Sequence, residues 1–212
     1  MKKHILCLGD SNTHGYCADP NDCADGGIRF NEHERWTKRL QQLLGEEYLV
    51  IEEGLSGRTT VFEDPLHESM DALRVAYPIL KSHEPIDLLV IMLGTNDTKD
   101  RLGMNAACIA LGMERLVRKC MSVDCWGSHG PNVLIVAPPP IGDELNDPCM
   151  GIHCAEKSRE LAHYYKIKAD QLGCHFMDAN GCEFNQIDFM HLTNRGHSQL
   201  AQRLGELVPR IV

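Results

Sequence analysis

Asp87-Leu88-Leu89-Val90-Ile91-Met92-Leu93 (87–93, DLLVIML) carries the strongest strand signal in the chain, bounded by Pro85 and Gly94. It shows no polar alternation after Asp87. Such a run suits a strand covered on both faces, as in a parallel sheet. Similar short runs recur at 4–9 (HILCLG), 48–51 (YLVI), 133–137 (VLIVA) and 174–177 (CHFM). Between them the period changes to that of a helix. Residues 36–44 place apolar side chains at 36, 40, 43 and 44, and residues 69–82 place them at 70, 73, 76, 77 and 80. Residues 104–121 do so at 109, 113, 116, 117 and 121, and helices are also expected over 155–172 and 194–207. Strands alternating with helices imply βαβ units and a parallel sheet, so the fold class is α/β.

The chain has 212 residues, 43% hydrophobic and 24% charged. That suits an ordinary globular protein, and no linker or repeat divides it, so one domain over 1–212 is expected. Lys and Arg number 21 against 30 Asp and Glu, a formal charge of −9. This balance argues against nucleic-acid binding, which asks for a basic face, and against docking to anionic membranes. No run approaches the ~18 apolar residues of a membrane span. Residues 5–8 form too short an apolar run for a secretory signal. A cytoplasmic location is therefore expected, where the ten cysteines stay reduced. There is no C-x-x-C, and the pairs 17/23, 120/125 and 149/154 are too loosely spaced for a metal site. Neither metal nor cofactor is expected.

Chemistry concentrates after the strands. Gly9-Asp10-Ser11-Asn12 follows the first and Gly54-Leu55-Ser56-Gly57-Arg58-Thr59 follows the second. Gly94-Thr95-Asn96-Asp97 follows the third, and Asp188-Phe189-Met190-His191 lies near the C-terminus. The irregular stretches 17–35, 60–68 and 138–153 also follow strands. In an open α/β sheet all of these meet at the carboxyl edge, where ligands bind. Ser11 is a candidate nucleophile. A serine hydroxyl needs a base, which His191 can supply, with Asp188 to orient the ring. The backbone N–H groups of Ser11 and Gly57 and the Asn96 amide are candidate oxyanion donors. Each motif alone is common turn chemistry; their combination in this order is not. His197 and Asp97 are read as structural, Asp97 as a brace for the Asn96 turn.

Carried by GDSNTHG (9–15), SGRT (56–59), GTND (94–97) and DFMHLTNRGH (188–197), the chain resembles the SGNH (GDSL) hydrolases over essentially its whole length. The resemblance implies a flavodoxin-like three-layer α/β/α sandwich with five parallel strands in the order 2-1-3-4-5. It implies a serine esterase with Ser11, Asp188 and His191 as triad and Ser11, Gly57 and Asn96 as oxyanion hole. RWTKRL (35–40), EEGLSGRTTVFEDP (52–65) and IMLGTND (91–97) look closer still to a branch of arylesterases and acyltransferases. Members of that branch act on short acyl esters, acetylated sugars among them, and often form homo-oligomers. That branch tends to carry Trp where this chain has His14. A histidine there would make the pocket more polar and tilt the substrate toward an acetylated carbohydrate. Arg58 is a further candidate for facing the substrate. The function expected is hydrolysis of a small acetyl-type ester, with acyl transfer to another alcohol as a related outcome. The alternatives are a lysophospholipase or thioesterase, and a non-catalytic module binding a glycan or other small ligand.

Overall fold

The computed structural model describes residues 2–212. Its elements are β1 (Lys3–Gly9), α1 (Ser11–His14), α2 (Trp36–Leu44), β2 (Tyr48–Gly54), α3 (Ala72–Ser82), β3 (Leu88–Met92), α4 (Ala106–Met121), β4 (Val133–Ala137), α5 (Cys154–Leu172), β5 (His175–Asp178) and α6 (Asn194–Ile211). The strands form one parallel sheet in the order β2-β1-β3-β4-β5. This is the order the resemblance implied.

The continuous apolar strands are explained by what covers them. Alternate residues point to opposite faces. Leu6, Leu8, Leu89, Ile91, Val133 and Ile135 pack with Ala76 of α3, Met113 of α4 and Leu161 of α5. Ile5, Cys7, Leu88, Val90, Leu134 and Val136 pack with Leu40 of α2 and Leu204 of α6. The result is a three-layer sandwich with helices on both faces. All five residues of β3 are buried, and each large side chain there contributes on the order of 2 kcal/mol. Among the described residues no helix is long and apolar enough to cross a membrane.

Several boundaries differ from the periodicity. The helix expected from residue 69 starts at Ala72, because Asp71 caps it by accepting from Arg74 N (2.9 Å) and Ser69 has a positive φ of 62°. The helix expected from 104 starts at Ala106, where Asn105 accepts from Cys108 N. The closing helix runs on from 207 to Ile211, past Pro209, with Val208 buried in the core. The second strand runs three residues past Ile51 to Gly54. Its added residues Glu52 and Glu53 hide the strand from an apolar count, but both acids have partners. Glu52 accepts from Arg35 (2.9 and 3.2 Å) and from Thr37 of α2, and Glu53 meets His83 at 2.9 Å.

Glu52 yields a stability prediction. Burial pushes its carboxyl up, but the hydrogen bonds from Arg35 and Thr37 outweigh that and hold it at about 2, against 4.5 ordinarily. A depressed folded pKa stabilises above the unfolded value and is lost as pH falls through the folded one. Glu52→Gln is therefore expected to cost about 2 kcal/mol at neutral pH and little near pH 2. Urea melts from pH 7 down to 2 would show the two proteins converging.

The register brings the chemistry together. Gly9 lies between Gly54 on one side and Met92 on the other. The turns leaving β1, β2 and β3 therefore start side by side. Gly54 also has to be glycine: a β-carbon there would stand 2.2 Å from His14 N.

Candidate active site

Ser11 opens α1, directly past the end of β1. Asp10 caps that single turn by accepting from Asn12 N at 3.0 Å. Asp10 is fully buried, and burial raises its carboxyl to about 6. The cap holds the Ser11 side chain at the sheet edge.

The turn before α6 supplies the partners. His191 Nε2 lies 2.8 Å from Ser11 Oγ, and His191 Nδ1 lies 2.6 Å from Asp188 Oδ2. The carboxylate fixes the proton on Nδ1, so that Nε2 is left to accept from the serine hydroxyl. Asp188 Oδ1 accepts from Asn185 Nδ2 (2.8 Å), Met190 N (3.1 Å) and His191 N (3.0 Å). Burial raises the Asp188 carboxyl, but His191 and these N–H donors outweigh it and bring it to about 2. The group is a carboxylate at any physiological pH. Phe189, between the two, has φ of 53°. Non-glycine residues seldom adopt that conformation, and here the Asp188 and Asn185 hydrogen bonds hold it.

Two residues not singled out from the sequence complete this half. Asn12 Oδ1 accepts from Leu192 N at 2.9 Å, tying the serine turn to the histidine turn across 180 positions. The Tyr16 ring lies 4.5 Å from the His191 ring, tilted by 56°. Asn12 stood in the quoted turn without a visible task, since its partner is set only by folding.

The donors sit opposite. Asn96, 8% exposed, follows β3, and its Nδ2 donates to Arg58 O at 3.2 Å. Gly57 has φ of 88°, which favours glycine. Neither Ser11 N nor Gly57 N has an acceptor among the described residues. Asp97 is buried and accepts from Thr60 N (3.0 Å) and Thr60 Oγ1 (2.5 Å). It therefore braces the Gly57 turn against the Asn96 turn, rather than the Asn96 turn alone. Burial first, offset by the Thr60 bonds, leaves its carboxyl at about 6.

Ser11, Gly57, Asn96 and His191 line one cavity of about 470 Å³, with Tyr16, Met150 and Met190 among its apolar walls. Of the three irregular stretches, 60–68 contributes His67 and 138–153 contributes Asp147, Cys149 and Met150. The stretch 17–35 packs elsewhere, with Asp22 and Glu34 holding Asn194 at the start of α6. A smaller cavity of about 330 Å³ lies at the opposite edge of the sheet, near Lys3, Asp87 and Asn132. Ser128 and His129 line it, but no hydrogen bond joins their side chains among the described residues. Among the described residues no group of three His, Cys, Asp or Glu side chains is placed to hold a metal ion.

His14 and Arg58 do not line the cavity, which corrects their reading as substrate contacts. Gly15, at φ of 85°, reverses the chain so that Tyr16 rather than His14 turns toward His191. His14 sits instead over Gly54, with its carbonyl accepting from Arg29. Arg58 is buried, and its Nη1 donates to Gly9 O (3.2 Å) and Glu53 O. Gly9 closes β1, and its carbonyl also accepts from Leu55 N at 3.2 Å. His197 is fully buried on α6, where its Nδ1 accepts from Trp36 N at 3.2 Å, and burial lowers it to about 3. It is a packing residue, as read.

Residues 7–199 match the family model described as GDSL-like lipase/acylhydrolase. No curated protein matches the chain. Among solved structures, an aryl esterase of M. smegmatis is 35% identical with a TM-score of 0.87, over 99% of this chain and 100% of its own. A carbohydrate acetylesterase of Sinorhizobium meliloti is 35% identical with a TM-score of 0.88, over 100% of both chains. A carbohydrate acetylesterase family member from the same organism is 36% identical with a TM-score of 0.89, over 99% of this chain and 98% of its own. With the sandwich, the strand order and a match across nearly the whole length, the chain belongs to the GDSL-like lipase/acylhydrolase family and is a carboxylic ester hydrolase.

Proposed function

We propose that the protein hydrolyses small acetyl-type esters through an acyl-enzyme on Ser11. The observation that carries this is the Ser11–His191–Asp188 chain, at 2.8 and 2.6 Å, lining one cavity with the unpaired Ser11 and Gly57 N–H groups and the Asn96 amide, one N–H of which is held by Arg58 O. In this reading His191 Nε2 takes the Ser11 proton as Oγ attacks the ester carbon. The carbonyl electron pair moves onto oxygen, and the Ser11 and Gly57 N–H groups and the Asn96 amide receive it. The intermediate collapses, the C–O bond to the alcohol breaks, and His191 returns the proton to the leaving oxygen. Water then enters, gives its proton to His191 and attacks the acyl-enzyme. Release of the acid restores Ser11. An alcohol taking the place of water gives acyl transfer.

The cavity must hold both acyl group and alcohol, and its 470 Å³ with Met150 and Met190 as walls suits a short acyl chain. The relatives are an aryl esterase and carbohydrate acetylesterases, so acetylated carbohydrates and aryl acetates are the substrates proposed. A panel of acetylated xylose, an aryl acetate, the aryl decanoate and a lysophospholipid tests this. Acetyl esters are expected to give the highest kcat/KM. A maximum on the decanoate or the lysophospholipid would overturn the short-chain reading.

A further inference from the structure

The cavity holds a second histidine that the proposed chemistry does not use. Asp64-Pro65-Leu66-His67 repeats the Asp-x-x-His spacing of 188–191, and His67 lines the same cavity as His191, on the wall formed by Gly57. A β-carbon at position 57 would meet His67 Cδ2 at 3.1 Å and Nε2 at 3.7 Å, so the imidazole edge lies against the proposed oxyanion donor.

The ring is oriented from behind. Its Nδ1 lies 3.4 Å from Asp64 Oδ2, and His67 N donates to Asp64 O at 2.9 Å. The Asp64 side chain is fully buried. It accepts from Lys99 Nζ (2.9 Å), Arg101 Nε (3.0 Å) and Arg101 Nη2 (2.6 Å). These bonds, Arg101 foremost, hold its carboxyl well below the usual range. A fixed carboxylate on the Nδ1 side turns the N–H of Nδ1 toward it and leaves Nε2 as the accepting nitrogen. Nε2 makes no hydrogen bond among the described residues, and the side chain is 47% exposed. It is an open acceptor on the wall of the cavity, beside the position where an ester carbonyl would sit.

We propose that His67 is a specificity residue, whose Nε2 accepts a hydrogen bond from a hydroxyl group of the ester substrate. The substrate class is thus a hydroxylated ester. Its hydroxyl belongs to the alcohol part, as in a partly acetylated polyol, or to the acyl part, as in a 2-hydroxy acid ester. The role that fell to His14 on sequence, making the pocket polar, passes to His67 on structure. The inference rests on the esterase reading of the same site.

The test compares glycerol monoacetate, ethyl lactate and ethyl acetate on the wild type, His67→Leu and His67→Gln. His67→Leu is expected to lose about tenfold in kcat/KM on one hydroxylated ester, the worth of one hydrogen bond, and to stay within about threefold on ethyl acetate. The ester that loses identifies the side bearing the hydroxyl. His67→Gln keeps an acceptor and is expected to recover most of the loss. Equal losses on all three esters, or no loss on any, would overturn the assignment. Labelling of each protein by a fluorophosphonate probe separates the two readings. A wild type unlabelled at Ser11 sinks the esterase site itself, whereas labelled variants with unchanged selectivity sink only the role of His67.

Discussion

Ser11→Ala is expected to lower kcat on an aryl acetate by about 10⁵- to 10⁶-fold, with the fold intact. The hydroxyl is the group that forms the acyl bond, and no other side chain lies as close to His191 Nε2 in a position to replace it. Its removal costs the structure little. The turn is capped by Asp10 rather than by Ser11, and the Ser11 oxygen bonds only to His191. The backbone N–H at 11 survives the change. A thermal melt within a few degrees of the wild type, with no fluorophosphonate labelling, would complete the picture. Activity within tenfold of the wild type would remove Ser11 as nucleophile.

Asn96→Ala is expected to lower kcat by about 10²- to 10³-fold while KM stays within a few-fold. The Asn96 amide is oriented by donating to Arg58 O at 3.2 Å. It is thus aimed before any substrate arrives, and a donor already in place stabilises charge that develops only in the transition state. Alanine leaves the Ser11 and Gly57 donors in place, so the loss is partial. The substitution also frees one buried carbonyl, a stability cost of about 1 kcal/mol that a urea melt would read. Titrating the active fraction with a fluorophosphonate probe separates this from general damage, which would lower kcat only in proportion to the labelled fraction. A kcat loss below about threefold would remove Asn96 from the oxyanion site.

The sandwich was legible because its strands are buried on both faces. Residues 88–92 and 133–137 show unbroken apolar runs for that reason. The edge strand was read short because Glu52 and Glu53 interrupt the pattern. Arg35, Thr37 and His83, which make those acids tolerable, are distant in sequence. Helix starts shift by two or three residues where an Asp or Asn cap, at Asp71 and Asn105, takes over from the hydrophobic period.

The site divides along the same line. Ser11, Gly57, Asn96, Asp188 and His191 were named from the sequence because each stands in a short motif next to a strand end or a turn, and local chemistry limits what such motifs do. His14 and Arg58 lie off the cavity because proximity along the chain says nothing of direction: the left-handed Gly15 turns one away, and the Gly9 and Glu53 carbonyls hold the other. Tyr16, Asn12 and His67 gained their places only through packing. The sequence by itself determined the layered fold and the turns from which the proposed chemistry is drawn, since burial period and turn chemistry are local. The tertiary structure alone decided which wall each side chain faces, because orientation follows from hydrogen bonds between residues such as Asn12 and Leu192, brought together from 180 positions apart.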